Sequence, residues 1–354
     1  MNSILSRFLG ILFLLLGTST CTHSLVQKDQ DQLLFPNEKY LKNISPLTFT
    51  GINTRPHWSF NGQWIVFQHQ GPPLGTTSSL CDSIYIMKAD GTQIRLLSQE
   101  QERAEFPFFL PKDEKILFSA STQSSTECIP DFHPSTIRKK DPSYQIYTFH
   151  RDGSDTLPIE PGAPRAYQGE ASVCQNRDII FTSDRDGNPN LYRAKLDNFE
   201  SFTQVERITQ TQGYDGGAVF SPDCKKIAWH SFQPKNNKQL NPSATLEIWV
   251  ANADGTHAHP VTELGASSFS PTFTKDGNHI VFASNLRDPK KNGFDLYRIP
   301  IEGTGLLEIT HSNQDSFPMF SPDRKKIVFS STRNAKGPNE IHIFIADWEE
   351  PSLF

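Results

Sequence analysis

Five charged side chains precede similar turns in successive parts of the sequence: Arg55, Glu105, Glu170, Asp215 and Asp315. If those turns surround a common axis, one arginine and four carboxylates would make an acidic ring. The negative charge of such a ring would attract a basic peptide or a cation. Calcium is the cation to consider, because it takes oxygen ligands. However, no spacing resembles a dedicated calcium loop, and each residue taken singly is better explained as capping a strand or binding water. The sequence therefore predicts a binding site only if the five act together.

Signatures of known catalytic sites are absent from the sequence. It has no Gly-x-Ser-x-Gly elbow, His-Glu-x-x-His motif or glycine-rich phosphate loop. His57, His69 and His230 fall in or near predicted strands, without a spacing that brings three or four ligands to zinc. The run Asp184-Arg185-Asp186-Gly187 could suggest calcium, but Asp and Gly also serve tight turns. We expect a non-catalytic protein, and the alternative is a hydrolase or lyase with a metal or carboxylates at its site.

The elements that would position these residues follow from a repeat. An aromatic residue, a Ser-Pro-Asp-like turn and an apolar triplet recur at intervals of 47 to 63 residues. Repeats near this period indicate a propeller or a solenoid. The triplets end at Phe67, Phe118, Phe181, Trp229, Phe282 and Phe329.

One repeat shows what each unit contains. After its triplet come a third apolar strand, a turn at Asp254-Gly255-Thr256 and a short fourth strand. Glycine suits that turn because it adopts positive φ without steric cost. Four strands of this kind make one blade of an all-β, six-bladed β-propeller.

The last repeat lacks its fourth strand, whereas 44–48 resembles a fourth strand that precedes the first blade. We therefore expect this N-terminal strand to complete the last blade, which removes exposed strand edges. The alternative is an open array with a capping strand. The predicted propeller covers 44–350.

The N-terminal residues 1–20 have the pattern of a secretory signal peptide. Arg7 precedes an apolar run, 8–16, that is too short to span a bilayer. Cys21 stands where a lipoprotein carries its acylated cysteine, although Thr20 replaces the usual small residue. Lipidation at Cys21 and ordinary cleavage nearby both remain open, and both predict export. Residues 21–43 read as a tether.

Export permits disulfides. Cys81 and Cys128 lie in long loops of adjacent blades, and we expect them to pair. Cys174 and Cys224 lie in the turns that precede the apolar triplets of two neighbouring blades. They either form a disulfide or remain free thiols. The net charge of −5, without a concentrated basic run, argues against a nucleic-acid partner.

These repeats resemble the TolB-type six-bladed β-propeller family over roughly residues 44–350. The most specific stretch runs from Phe181 to Tyr192, and Gly213-Tyr214-Asp215-Gly216-Gly217 gives weaker support. The resemblance implies an exported propeller, in the periplasm or cell envelope, that binds other macromolecules. Family members that assist an envelope-spanning complex carry an additional N-terminal α/β domain, for which 21–43 leaves no room. Only the generic role of binding a protein or peptide partner is therefore expected here.

The long insertions, 70–81, 121–143 and 233–245, all join the second and third strands of their blades. Because strands alternate in direction, these insertions share one face with the connections between blades. Long loops on a rigid scaffold commonly carry recognition. We therefore expect the partner to bind at this face.

Overall fold

Each apolar triplet forms part of the second strand of a four-stranded antiparallel sheet. The computed structural model describes residues 33–71, 82–98, 103–121, 141–159, 165–198, 201–233, 245–290, 293–312, 314–337 and 340–350. These residues contain 24 strands in six sheets and no helix. The protein is therefore an all-β, six-bladed propeller.

The strands follow one another along the chain as β1 (Leu41–Pro46), β2 (Ile52–Trp58), β3 (Trp64–Gln70), β4 (Ser83–Lys88), β5 (Arg95–Leu96), β6 (Arg103–Phe109), β7 (Lys115–Ser121), β8 (Tyr144–His150), β9 (Leu157–Pro158), β10 (Gln168–Val173), β11 (Asp178–Ser183), β12 (Asn190–Asp197), β13 (Ser201–Arg207), β14 (Tyr214–Phe220), β15 (Lys226–Phe232), β16 (Glu247–Asn252), β17 (His259–Pro260), β18 (Ser268–Phe273), β19 (His279–Ser284), β20 (Asp295–Pro300), β21 (Leu307–Glu308), β22 (Asp315–Phe320), β23 (Lys326–Ser331) and β24 (His342–Trp348).

The second strands are buried on both faces because each sheet packs between two others. In the first blade, Ile65, Val66 and Phe67 of β3 are almost fully buried. Apolar side chains of adjacent blades share clusters, as where Val66 meets Phe118 of the second blade. Continuous apolar triplets are what a strand covered on both faces requires. The core is therefore distributed between the blades.

The inner strands form a ring around the propeller axis. Each contacts the inner strands of the blades on either side, in the cyclic order β2, β6, β10, β14, β18 and β22. Each is also the terminal strand of its sheet, so its free edge faces the axis. This ring is the frame on which a central site can be built.

In the last sheet, the N-terminal strand β1 pairs antiparallel with β24, between Leu41 and Trp348 at one end and between Pro46 and Phe344 at the other. The sheet order is β1-β24-β23-β22. Beyond the strand, the Leu47 amide donates to the Ile343 carbonyl at 2.7 Å. The strand begins at Leu41, so three residues assigned to the tether from sequence belong to the sheet.

The segment before β1 is also attached to the propeller. Arg333 donates to Glu38 at 3.0 Å and to Asp315 at 2.8 Å, and all three side chains are fully buried. Arg333 also donates to the Leu33 carbonyl at 2.8 Å. Residues from 33 onward therefore pack on the last blade.

Cys174 and Cys224 form a disulfide with a Cα–Cα distance of 6.0 Å, which is ordinary for such a bridge. The turns that follow β10 and β14 lie this close because the inner strands of adjacent blades are in contact. Ser172 of β10, for example, donates to the Ala218 carbonyl of β14 at 2.7 Å. Cys21, Cys81 and Cys128, for which lipidation and a second disulfide are predicted, lie outside the described residues. Among the described residues, none forms a helix that could cross a membrane.

Candidate functional site

A cavity lies on the propeller axis and is lined from all six inner strands. It encloses about 590 Å³ of empty space, including solvent at its mouth. The lining residues lie at the middle of each inner strand and beyond it, towards the short Ser-Pro-Asp-type turns. The cavity thus lies nearer those turns than the long-loop face on which sequence analysis placed binding. Residues 72–81, 122–140 and 234–244 of the long insertions lie outside the described residues.

A β-bulge in every inner strand shapes the cavity. In β2, for example, the register shifts between Thr54 and His57, so that Arg55 and Pro56 lie opposite Phe67. The other inner strands shift in the same way opposite the last residue of their own triplets. A bulge bends the strand and turns a side chain in a new direction. The six triplet aromatics therefore mark six equivalent positions around the axis.

The first residue of every bulge has positive φ, between 52° and 59°. Five of these six residues are not glycine, so each adopts a conformation that is costly for a side chain. Such strain persists only where the surrounding packing imposes it. We call the six positions the bulge ring: Arg55, Phe106, Glu170, Gly217, Ser270 and Phe317.

The bulge ring differs from the acidic ring expected from sequence. Arg55 and Glu170 belong to it, but Glu105 precedes the ring position of its strand by one residue. Asp215 and Asp315 precede theirs by two and are fully buried. A shift of one residue moves a strand side chain to the other face. Of the five predicted residues, Arg55 and Glu170 line the axial cavity of the described structure, whereas Glu105, Asp215 and Asp315 are not part of its lining.

Arg55 lies between two aromatic rings of the bulge ring. Its guanidinium carbon is 3.9 Å from the centroid of Phe106 and 4.7 Å from that of Phe317. Both distances suit a cation–π interaction. Phe106 and Phe317 belong to the blades on either side of Arg55. Arg55 has no hydrogen bond or ion pair within the described part of the chain, so its N–H donors remain available.

Glu170 has several protein partners. Its carboxylate accepts hydrogen bonds from the Tyr214 hydroxyl at 2.7 Å, the Gly217 amide at 2.9 Å and the Thr182 hydroxyl at 3.0 Å. Burial, followed by the charge of Glu170, raises the pKa of Tyr214 well above its ordinary value. Tyr214 therefore remains a neutral hydrogen-bond donor to this carboxylate. Glu170 is already satisfied within the protein.

The two glycines after Tyr214 make room for that arrangement. A Cβ at Gly216 would lie 2.1 Å from a Glu170 oxygen, and one at Gly217 would lie 2.2 Å from His230. Gly217 also has φ of 59°. Glycine is therefore required for close approach at both positions. This explains the Gly213-Tyr214-Asp215-Gly216-Gly217 motif, whose physical role the sequence alone did not reveal.

Two histidines also line the cavity, His57 and His230. Burial, with a smaller contribution from the Arg55 charge, lowers the pKa of His57 to about 3. His57 is thus neutral at physiological pH, and its buried Nδ1 has no hydrogen-bond partner. His230 lies 3.2 Å from the Tyr214 hydroxyl. The sequence alone indicates no role for either residue, because a lone histidine in a strand carries little information.

The remaining predicted carboxylates have partners away from the cavity lining. Asp215 accepts from the Trp229 indole at 3.0 Å and from Thr211 at 2.9 Å, and burial raises its pKa. Asp315 is paired with Arg333. Glu105 accepts the Tyr144 hydroxyl at 2.8 Å.

Asp82 lies near Glu105 in a cluster that sequence analysis missed. Burial, with a further contribution from Glu105, raises the pKa of Asp82 to about 7. Gln68 donates to Asp82 at 2.7 Å. In the described ranges, no three or more His, Cys, Asp or Glu side chains are grouped so that they could hold a metal ion.

The Asp184-Arg185-Asp186-Gly187 segment forms a turn. The Asp184 carboxylate accepts the Tyr167 amide at 2.8 Å, and that of Asp186 accepts the Tyr192 hydroxyl at 2.6 Å. Arg185 lies over the Phe181 and Tyr192 rings. These contacts join the turn to its own blade and to the start of the inner strand of that blade. This agrees with the view that Asp and Gly serve a tight turn here.

No protein-family model matches this chain. A curated relative, tricorn protease homolog 1 of Streptomyces coelicolor, is 25% identical over 217 residues, which cover 54% of this chain and 19% of the relative. The chain thus spans about a fifth of the length of that protein.

Solved structures match most of the chain. A putative TolB from Agrobacterium tumefaciens has a TM-score of 0.58 at 14% identity, over 87% of this chain and 97% of that one. TolB from Acinetobacter baumannii scores 0.55 at 17% identity, over 82% and 65%. A gluconolactonase from Xanthomonas campestris scores 0.55 at 12% identity, over 86% and 89%. At these identities the similarity concerns the fold. The chain has the six-bladed propeller fold of the TolB proteins, and this confirms the resemblance inferred from its repeats.

Proposed function

We propose that this protein is an exported, non-catalytic propeller that binds a protein or peptide partner at the cell envelope. The observation that carries the proposal is the axial cavity, in which Arg55 keeps its donors free. A concave site lined by aromatic and other apolar side chains, with a few polar groups among them, is typical of ligand binding. It suits a short segment of a partner, while the rest of that partner would cover the surrounding face.

The chemistry of the lining supports binding over catalysis. A general base or nucleophile must be able to reach a reacting atom. Glu170 is the carboxylate of the cavity lining, and three protein donors already engage it. We therefore infer that Glu170 maintains the shape of the site. The proposal includes no cofactor.

The location at the envelope rests on the sequence of residues 1–20 and on the resemblance to TolB. An apolar run with the proportions of a secretory signal would direct the chain out of the cytoplasm. A lipid on Cys21 would then hold the propeller at a membrane surface. Mass spectrometry of the mature N-terminus, from cells that express the full chain, distinguishes an acylated Cys21 from ordinary cleavage.

We also infer that β1 closes the propeller in the mature protein. The support is the pairing of β1 with β24 and the buried contacts of Glu38 just before it. A ring closed in this way leaves β24 without a free edge, which is how propellers avoid pairing with other chains.

The partner can be sought by affinity capture from envelope extracts of the source organism. A captured protein is identified, purified and titrated against the propeller by calorimetry. We expect Arg55→Gln to weaken this binding at least tenfold, whereas Arg165→Gln, which changes an exposed side chain, leaves it unchanged. If no captured protein binds the purified propeller directly, the proposed function is wrong.

An enzyme is the second candidate, because a gluconolactonase of Xanthomonas campestris shares the fold. Such an activity would require Glu170, His57 or His230 to act on a substrate in the same cavity. A screen of lactone, ester and uronide substrates, with and without divalent metal ions, tests this. Turnover that Glu170→Gln abolishes would favour the enzyme over the binding protein.

A further inference from the structure

The availability of Arg55 is the starting point. A guanidinium has five N–H donors in a fixed planar arrangement, and none has a hydrogen-bond or ion-pair partner in the described structure. Arginines in protein interiors normally pair with a carboxylate, as Arg333 does. Arg55 instead lies on a cavity wall beside two aromatic rings. The N–H donors of Arg55 are therefore all available to an anion that enters the cavity from outside the protein.

The guanidinium is also held in place. Phe106 and Phe317 contact it from the neighbouring blades, and positive φ at Arg55 itself fixes where the side chain leaves the strand. Rigid groups lose little conformational freedom when they bind a ligand. Arg55 is therefore prepared for a planar anion such as a carboxylate, which a guanidinium binds with two parallel hydrogen bonds.

The shape of the donor set favours a carboxylate. Glu170 lines the same cavity, and three protein donors engage its carboxylate. Repulsion from Glu170 and attraction to Arg55 both scale with the charge of the ligand, so charge alone does not choose between a carboxylate and a phosphate dianion. A carboxylate is planar and matches the planar guanidinium, and we therefore take it as the ligand group.

The rest of the lining is largely apolar. Phe108, Met319, Val219 and Pro318 lie beyond the bulge ring on three different blades. Few polar groups remain for the many hydroxyls of a sugar. An apolar side chain next to a carboxylate fits such walls, because removing apolar surface from water is favourable. Chain ends with an apolar last residue have this combination.

We propose that Arg55, with the unpartnered Nδ1 of His57 beside it, binds the C-terminal carboxylate of a peptide whose last side chain is apolar. This inference rests on the proposed function and names the chemistry that its site recognises. The terminal side chain enters the apolar part of the cavity lined by Phe108 and Met319. The preceding residues leave through the mouth.

Calorimetry with short peptides tests the proposal. The probes are acetyl-Gly-Gly-Phe with a free C-terminal carboxylate, the same peptide with a C-terminal amide, and octanoate as an apolar carboxylate without a peptide. We expect the free acid to bind at least tenfold more tightly than the amide and than octanoate. Equal binding of acid and amide, or tighter binding of octanoate than of the peptide acid, overturns the proposal.

Variants identify the residue responsible. Arg55→Gln should weaken binding of the free acid at least tenfold and abolish its preference over the amide, whereas Arg55→Lys keeps part of that preference. Arg165→Gln serves as the exposed control, and circular dichroism checks that each variant is folded. If Arg55→Gln unfolds the protein, the Arg55 side-chain N–H resonances of the wild type decide the matter, since they must shift on addition of the acid and not of the amide.

Different results would overturn the proposal about Arg55 and the broader proposed function. A purified partner that binds the wild type and Arg55→Gln equally would preserve the binding function and overturn the role of Arg55. Peptide acids that bind through Arg55, with no partner captured, would support the cavity chemistry and overturn the proposed function at the envelope.

Discussion

The guanidinium carbon of Arg55 lies 3.9 Å from the ring centroid of Phe106 on the next blade. Both residues have positive φ, 53° and 56°, at equivalent bulges of β2 and β6. The contact thus depends on two backbone distortions that face each other across a blade boundary. The regular bulges of the inner strands are what give the cavity its lining.

Replacing Phe106 should loosen Arg55. Phe106→Leu removes one of the two aromatic rings and should cost about 1 kcal/mol of unfolding free energy, the typical size of a cation–π contact. The side-chain N–H order parameter of Arg55, measured by NMR relaxation, should fall. Phe49→Leu is the matched control, because Phe49 is exposed. An unchanged order parameter in Phe106→Leu would mean that the rings do not hold Arg55.

The fold could be predicted from the sequence because each blade repeats a turn and a triplet that is apolar throughout. Ile327-Val328-Phe329 is readable as a buried strand without any knowledge of its neighbours. The same regularity locates the inner strands, which precede those turns.

The site could be predicted only in part, because the first residue of each bulge is of no fixed type. The bulges are marked instead at their second residue, which is proline at 56, 107, 271 and 318. The six bulge-ring residues include an arginine, a glutamate, two phenylalanines, a glycine and a serine. Positive φ at Phe106 or Phe317 is contrary to their ordinary preference. Counting back from each turn therefore identifies Arg55 and Glu170 as members of the bulge ring. In two other strands it gives Asp215 and Asp315, which precede the bulge-ring positions by two residues.

Gly216 should tolerate no side chain. A Cβ there would lie 2.1 Å from both Glu170 Oε2 and the Tyr214 hydroxyl. Gly216→Ala should therefore cost at least about 2 kcal/mol, because the buried hydrogen bond between Glu170 and Tyr214 must open. Urea unfolding measures this loss. Gly337→Ala is the control, since nothing lies within 4 Å of its added Cβ, and equal stabilities for the two variants would contradict the argument.

The Cys174–Cys224 disulfide should stabilise the boundary between the third and fourth blades. It closes a loop with a sequence separation of 50 residues, for which chain entropy gives roughly 4 kcal/mol as an upper range. The double variant Cys174→Ser/Cys224→Ser should lower Tm, and a reductant should lower the Tm of the wild type by more than that of the variant, which keeps Cys81 and Cys128. A wild type that is insensitive to reductant under unfolding conditions would argue against this bridge.

Asp82 should make stability depend on pH. Its pKa is raised from 3.8 to about 7 by burial and by Glu105, so the folded state holds a proton that the unfolded state releases. The free energy of unfolding should therefore fall as pH rises from about 4 to about 7. Urea unfolding at pH 5 and pH 8 measures the difference.

Asp82→Asn should reduce that difference, because asparagine cannot release a proton and can still accept the hydrogen bond from Gln68. Asp90→Asn is the control, since Asp90 is solvent-exposed and hydrogen bonds from Thr92 lower its pKa. An equal pH dependence in the wild type and Asp82→Asn would show that other groups produce the effect.

Arg333 should be essential for attaching the N-terminal segment. Its side chain is fully buried with Glu38 on one side and Asp315 on the other, so Arg333→Met leaves two carboxylates buried without their cation. Removing one partner of a buried pair typically costs about 3–5 kcal/mol. Glu38→Gln should cost less, because Arg333 then keeps Asp315.

The control for this prediction is Lys326→Met, which breaks the ion pair between Lys326 and Asp347 on the same blade. Both of those side chains are substantially exposed, so the loss should stay below about 1 kcal/mol. Urea unfolding ranks the three variants, and limited proteolysis reports whether residues 33–46 detach. If Arg333→Met costs no more than Lys326→Met, the buried cluster does not hold β1 against β24, and their pairing must depend on the hydrogen bonds between the two strands alone.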